Sequence, residues 1–226
     1  MSGSDASLIE ADALVVRYGG WQVNEPVSFS LHPGQLGLLT GPNGSGKTSI
    51  LRALLGQGVG YEGNLRVLDS DARRVKPWRV IREGLRVIPQ FPTLPVSLIV
   101  MEYVKVWRRY NPGCLVERER ETDRHRVAKG ELGRLFGIDT RVPISVLSTG
   151  QRRLLEIFLA FAAKPRVLLA DEPLAGIARE FIPYVAEGIR GVRESSGAVL
   201  MVTHGSEASP WRGDWAVEVM PAKCRA

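Results

Sequence analysis

Residues 41–48 read GPNGSGKT and satisfy the pattern G-x-x-x-x-G-K-[ST]. LGLLT (36–40) precedes them, a short apolar run of the kind a buried strand supplies, and SILRALLGQ follows with helical periodicity that stops at the glycines. A chain with this stretch is constrained to fold as strand, tight turn and helix in succession. Gly41, Gly44 and Gly46 let the backbone turn sharply and aim N–H groups inward, with Pro42, Asn43, Ser45 and Ser49 completing the loop. The helix that begins near Lys47 adds its positive end. Such a cradle suits phosphates: Lys47 reaches the β- and γ-phosphates of a nucleotide, and the Thr48 hydroxyl is a candidate Mg²⁺ ligand.

A second stretch needs a cation. RVLLADE (166–172) is an apolar run that ends on two adjacent acids, Asp171 and Glu172. Burying two like charges is costly unless a positive charge compensates them. In the phosphate-loop arrangement a strand-end aspartate holds Mg²⁺, which gives Asp171 its partner and leaves Glu172 to orient or deprotonate a water. Just upstream, LSTGQRRLLEIFLAFAA (147–163) is helical, and Ser148 followed by Gln151 matches a capping box. With Gly150 in its first turn, this helix start is a second anion site. Arg152 and Arg153 read as helix surface.

The rest of the chain alternates strand and helix signals. Strands are expected over 8–20, 27–35, 36–41, 64–69, 85–90, 166–170 and 198–204, with DWAVEVM (214–220) as a last one. Helices are expected after the glycine loop, in VMEYVKVWRRY (100–110), in 117–138, over 151–163 and near 179–195. This order implies a largely parallel α/β core, an antiparallel piece at the N-terminus and a helical insertion. The 226 residues suit one large domain, divided as a core of 1–90 and 151–226 and a helical sub-domain of 91–150.

Composition excludes several classes. No apolar run approaches a membrane span, the N-terminus lacks a signal-peptide pattern, and Cys114 and Cys224 form no metal or redox motif. A cytosolic setting is expected. The net charge is +6, and residues 73–86 hold six basic side chains against Glu83 alone. That segment reads as a solvated face, or as a surface toward a protein partner or an anionic membrane leaflet. No nucleic-acid signature accompanies it, so no nucleic-acid partner is expected.

Taken together, the motifs resemble the ATP-binding cassette (ABC) ATPases over nearly the whole chain. They occur in family order: Tyr18 in the adenine-stacking position, GPNGSGKT as Walker A, Gln90 in VIPQ as the Q-loop glutamine, LSTGQ as the signature, VLLADE as Walker B, and His204 in VTH as the switch histidine. The resemblance implies a P-loop NTPase fold of the RecA-like type with an antiparallel β sub-domain and an inserted α-helical sub-domain. It implies ATP and Mg²⁺ as ligands, with Thr48, Gln90 and Asp171 on the metal. It assigns Glu172 to the water and His204 to the γ-phosphate, with Lys47 and Gln90 stabilising developing charge. It also implies a head-to-tail dimer in which Ser148, Gly150 and Gln151 meet the partner's nucleotide. Separate transmembrane permease subunits would place the chain on the cytoplasmic face of the inner or plasma membrane. The subgroup looks like cassettes for branched-chain amino-acid or urea uptake, or for lipopolysaccharide export. The rival is a soluble cassette that remodels a complex, as in iron–sulfur assembly. Two positions depart from the family: Thr149 stands where glycine is usual, and Ala178 stands where an aspartate normally contacts the opposite site.

Overall fold

The computed structural model describes residues 6–111, 130–203 and 211–222. Two sheets organise them. The first is antiparallel and contains β1 (Ile9–Tyr18), β2 (Trp21–Gln22), β3 (Val27–Leu31), β5 (Gly60–Val67) and β6 (Ser70–Asp71). The second is parallel, in the order β10 (Trp215–Glu218), β4 (Leu36–Thr40), β9 (Ala198–Val202), β8 (Val167–Asp171), β7 (Leu85–Ile88). The expected architecture of an α/β core with an N-terminal antiparallel sheet is present; β1, β3, β4 and β9 end earlier than the sequence suggested, whereas β5 begins four residues before the expected 64–69.

The parallel sheet is covered on both faces, and its central strands show it. All five residues of β8 and all five of β9 are buried. A strand enclosed on both sides has no reason to alternate polar and apolar residues, which is why VLLA and AVLMV are continuous apolar runs. One face packs α1 (Lys47–Leu54) and the antiparallel sheet through Leu39, Ile50, Leu54, Leu169 and Leu200. The other packs α4 (Thr149–Ala162) and α5 (Ile182–Glu194) through Leu168, Ile157, Val185 and Ile189. Two further helices are α2 (Pro77–Arg82) and α3 (Val100–Arg109). A third apolar cluster joins α3 and the helical residues 130–136 to α4, through Val104, Leu132, Phe136, Leu155 and Phe158.

Charge had hidden α2. The basic run 73–86 contains this short helix, opened by Pro77 at a position where the missing N–H costs nothing. Its neighbourhood also uses up several of the cations. Arg79 pairs with Glu83 at 2.9 Å, Arg73 donates to the Gly63 carbonyl at 2.7 Å and lies 5.0 Å from the Tyr61 ring centre, and Arg86 bonds the Ile81 and Leu85 carbonyls. Most of the expected 117–138 helical segment, and both cysteines, lie outside the described residues.

One buried polar side chain ties the antiparallel sheet together. The register of β1 against β3 shifts between Ala11 and Leu14, which leaves backbone groups without strand partners. Within the shift the Ala13 N–H donates to Ser28 Oγ at 2.9 Å. Beyond it, where β1 outruns β3, fully buried Asn24 takes over: its Nδ2 donates to the Leu14 carbonyl at 3.0 Å and the Glu25 carbonyl at 2.7 Å, and its Oδ1 accepts from Val16 N–H at 2.8 Å. Replacing it with alanine would strand those groups in the interior. Asn24→Ala should therefore lose about 3 kcal/mol of stability. Urea denaturation would show this as a lower midpoint with an unchanged slope; an unchanged midpoint would mean that water replaces the side chain.

Candidate functional site

The site forms at the carboxyl ends of β4 and β8, where loops leave a parallel sheet and ligands commonly bind. β9 lies between the two strands, so the glycine loop and the acidic strand end face one another across one strand. The glycines are required by space as well as by turning. A Cβ on Gly41, whose φ is +131°, would sit 2.2 Å from the Val219 carbonyl oxygen. A Cβ on Gly46, at φ +98°, would meet Val23 at 2.9 Å.

Lys47 is buried and folds back over the loop, with Nζ donating to the Gly41 and Pro42 carbonyls at 2.8 Å each. Burial pushes its pKa down, and the carboxylates of Glu172 and Asp171 oppose that shift. Thr48 Oγ1 donates to Asp171 Oδ2 at 2.8 Å. Burial pushes the Asp171 carboxyl up, the Thr48 hydroxyl acts against it, and the neighbouring Glu172 adds to it. The other carboxylate oxygen, Oδ1, is buried with no hydrogen-bond partner among the described residues. Such an atom costs about 1–3 kcal/mol, and a cation beside it would remove that cost.

Gln90 Nε2 donates to Glu172 Oε2 at 3.2 Å, so a residue two positions beyond β7 meets the acid after β8. A cavity of about 520 Å³ opens here, lined by Val23, Lys47, Thr48, Ser49, Gln90 and Glu172 together with the glycine loop. Thr48, Gln90 and Asp171 together line a neighbouring cavity on the α1 side; their oxygens are hard donors, which fits Mg²⁺ rather than a softer metal.

The other expected residues fall around this centre. Tyr18, at the end of β1, is 42% exposed, and a hydrogen bond with Ser49 pulls its phenol pKa down. Ser45 is fully buried, and its hydroxyl has no partner among the described residues. Ser148 and Gln151 close the capping box of α4: Ser148 Oγ accepts from Gln151 N–H and Gln151 Oε1 accepts from Ser148 N–H, both at 3.1 Å. Ser148 is exposed, and neither it, Gly150 nor Gln151 lines the Lys47 cavity. Asn43 and Gly44 do line it, and Pro42 bounds the loop. His204 lies outside the described residues.

The structure corrects one expectation. Arg153 is not on the helix surface; it is 2% exposed, and its Nη2 donates to the carbonyls of Asp171 at 3.2 Å and Glu172 at 3.0 Å. The sequence did hold a signal. α4 is apolar nearly all round, as an interior helix is, and Arg153 shares a face with Ile157 and Ala160 four and seven positions on.

A second cavity, of about 560 Å³, lies between the α1–α2 side of the core and α3. Leu51, Ile81, Arg86, Phe91, Tyr103 and Trp107 are among the residues that line it. Its rim carries Phe91 at 73% exposure, with Ile81 at 38%. Among the described residues no helix is long and apolar enough to cross a membrane.

Comparison with known proteins places this geometry. A family model described as ABC transporter matches residues 24–175. The arabinose import ATP-binding protein AraG 2 of Burkholderia thailandensis is 31% identical over 204 residues, covering 89% of this chain and 38% of the relative. The Nod factor export ATP-binding protein I of Ralstonia nicotianae is 31% identical over 204 residues, covering 88% of this chain and 60% of the relative. The chain therefore spans less than two thirds of the length of either relative. A solved ATP-binding subunit of an ABC transporter superposes with a TM-score of 0.77 at 22% identity, covering 95% of this chain and 86% of that one. A nucleotide-free ATP-binding cassette from an ABC transporter gives 0.74 at 21% identity, with 95% and 88% covered. At those identities the two structures establish the fold, and the family match establishes membership: this chain belongs to the ABC transporter family and carries its nucleotide-binding domain.

Proposed function

We propose that this chain is the ATP-binding and ATP-hydrolysing subunit of an ABC transporter, pairing with a second cassette around two ATP molecules to power separate membrane subunits. The observation that carries the reading is the half-satisfied Asp171 carboxylate, held on one oxygen by Thr48 and without a hydrogen-bond partner among the described residues on the other, where Thr48 itself lines a cavity with Lys47, Gln90 and Glu172. Those are the groups that phosphoryl transfer to water requires.

ATP enters with its phosphates against the N–H groups of the 41–48 loop and the start of α1. Lys47 exchanges its two carbonyl partners for phosphate oxygens and keeps its charge within reach of the β- and γ-phosphates. Thr48, Asp171 and Gln90 would hold Mg²⁺, which supplies charge neutralisation on the phosphate oxygens when bound. The Gln90 amide orients the Glu172 carboxylate, and Glu172 polarises the attacking water. His204 is assigned to the γ-phosphate on its sequence position. Tyr18 offers its exposed ring to the base.

Ser148 and Gly150 have no role toward the nucleotide of their own chain, since they do not line its cavity. Their helix start is exposed at Ser148 and Thr149, and the positive end of a helix suits the γ-phosphate bound by a second subunit. ATP then belongs to the interface, and its hydrolysis biases a two-state contact. The 560 Å³ cavity beside Gln90 supports docking of a permease segment there, which would set the chain on the cytoplasmic face of the membrane.

Two outcomes test this. Glu172→Gln should lower ATP turnover by a factor on the order of 100 or more while ATP binding persists. The variant should elute as a dimer in MgATP; wild-type turnover would remove Glu172 from the mechanism. Phe91→Asp combined with Ile81→Glu should abolish co-purification with the membrane subunits, measured by affinity capture from detergent extracts. Capture at wild-type levels would place the permease contact elsewhere.

A further inference from the structure

Glu172 has an unusual backbone. Its φ is +47°, in the left-handed region that residues with a Cβ seldom occupy. Something must hold it there, and the surrounding hydrogen bonds show what does. Its N–H donates to the Val202 carbonyl at 3.1 Å. Its own carbonyl accepts from Ala175 N–H at 3.0 Å and from Arg153 Nη2 at 3.0 Å. The preceding carbonyl, that of Asp171, accepts from the same Arg153 nitrogen at 3.2 Å. One guanidinium therefore grips the carbonyls of both acids, and it comes from α4.

The side chain of Glu172 traces back to the same helix. Its Oε2 accepts from Gln90 Nε2. Three residues after Gln90, Thr93 donates both its N–H, at 2.7 Å, and its hydroxyl, at 3.0 Å, to Glu156 Oε1. Glu156 lies three positions after Arg153, on the adjacent turn of α4. The helix thus reaches Glu172 twice, through its backbone and through the segment that carries the side-chain partner.

We propose that Arg153 is a positioning residue for Glu172: by clamping the carbonyls of Asp171 and Glu172 to α4, it fixes the backbone from which the Glu172 carboxylate meets water, while Glu156 anchors the Gln90 segment to the same helix. The inference rests on the proposed function for its kinetic consequence, but its structural content stands without catalysis. Because α4 is capped by Ser148, a shift of that helix start would be transmitted directly to Glu172.

The test uses the full chain with Arg153→Met, which removes the donors at similar length, and Arg153→Lys, which keeps the charge and one donor nitrogen but replaces the planar guanidinium with a compact ammonium. Arg153→Met should leave the ATP Kd within about threefold and lower kcat by a factor on the order of 100, the scale expected when a reacting group is misplaced by about 1 Å. Arg153→Lys should fall between Met and wild type. In a Glu172→Gln background, Arg153→Met should add no further loss in single-turnover hydrolysis; multiplied losses would show that Arg153 acts elsewhere. Backbone amides of 172–176 should exchange hydrogen faster in Arg153→Met. If that variant does not fold, the Lys variant carries the kcat and exchange comparisons. Wild-type kcat together with wild-type exchange would overturn the proposal. If the parent protein hydrolyses no ATP, the proposed function fails, and the exchange measurement alone decides the clamp.

Discussion

The hydrogen bond between Thr48 and Asp171 is the interaction on which the site depends. It spans 2.8 Å and joins the first turn of α1 to the last residue of β8, two elements separated by 123 positions in sequence. Asp171 is 4% exposed and lies beside Glu172, so its charge is costly to hold without water. The Thr48 hydroxyl satisfies one oxygen and leaves the other waiting. The arrangement is stable enough to fold but is completed only when positive charge arrives. A site with an unfilled electrostatic demand is a natural binding site for a metal–nucleotide complex, and the same demand links binding to the structure of the loop that surrounds it.

Much of this was legible in the sequence because the features are local. GPNGSGKT fixes its own backbone through glycine, and the apolar runs of β4, β8 and β9 declare strands buried on both faces. The Ser148–Gln151 capping box was readable because both partners lie within one helical turn. Other features were hidden for physical reasons. Helix α2 sits in a run of charge that suggests solvent rather than order, and it is only six residues long. β2 and β6 have two residues each and carry no periodicity at all.

Arg153 reads as surface because charge is ordinarily a surface signal. Its burial follows from the helix rather than from the residue: α4 is enclosed on several sides, and a side chain on its inner face has nowhere else to go. The guanidinium is tolerated because two backbone carbonyls meet it and three carboxylates, Glu156, Asp171 and Glu172, lie within electrostatic reach. Those carbonyls come from the strand end that carries the acids, so the link between signature helix and acids is a tertiary contact that no spacing along the chain could reveal. Ala178, where the family usually has an aspartate, begins the short turn before α5 and makes no side-chain hydrogen bond there. The chain therefore keeps the groups around its own cavity while simplifying one that would face the opposite site.

In the proposed function the site is composite, with ATP held between Lys47 of one cassette and Ser148 of another. The most direct measurement is a structure of the Glu172→Gln protein with MgATP. The expected result is a head-to-tail dimer in which the γ-phosphate contacts Lys47 of one subunit and the Ser148 hydroxyl and Gly150 N–H of its neighbour. MgATP bound in the 41–48 loop with Ser148 and Gly150 facing solvent would contradict it.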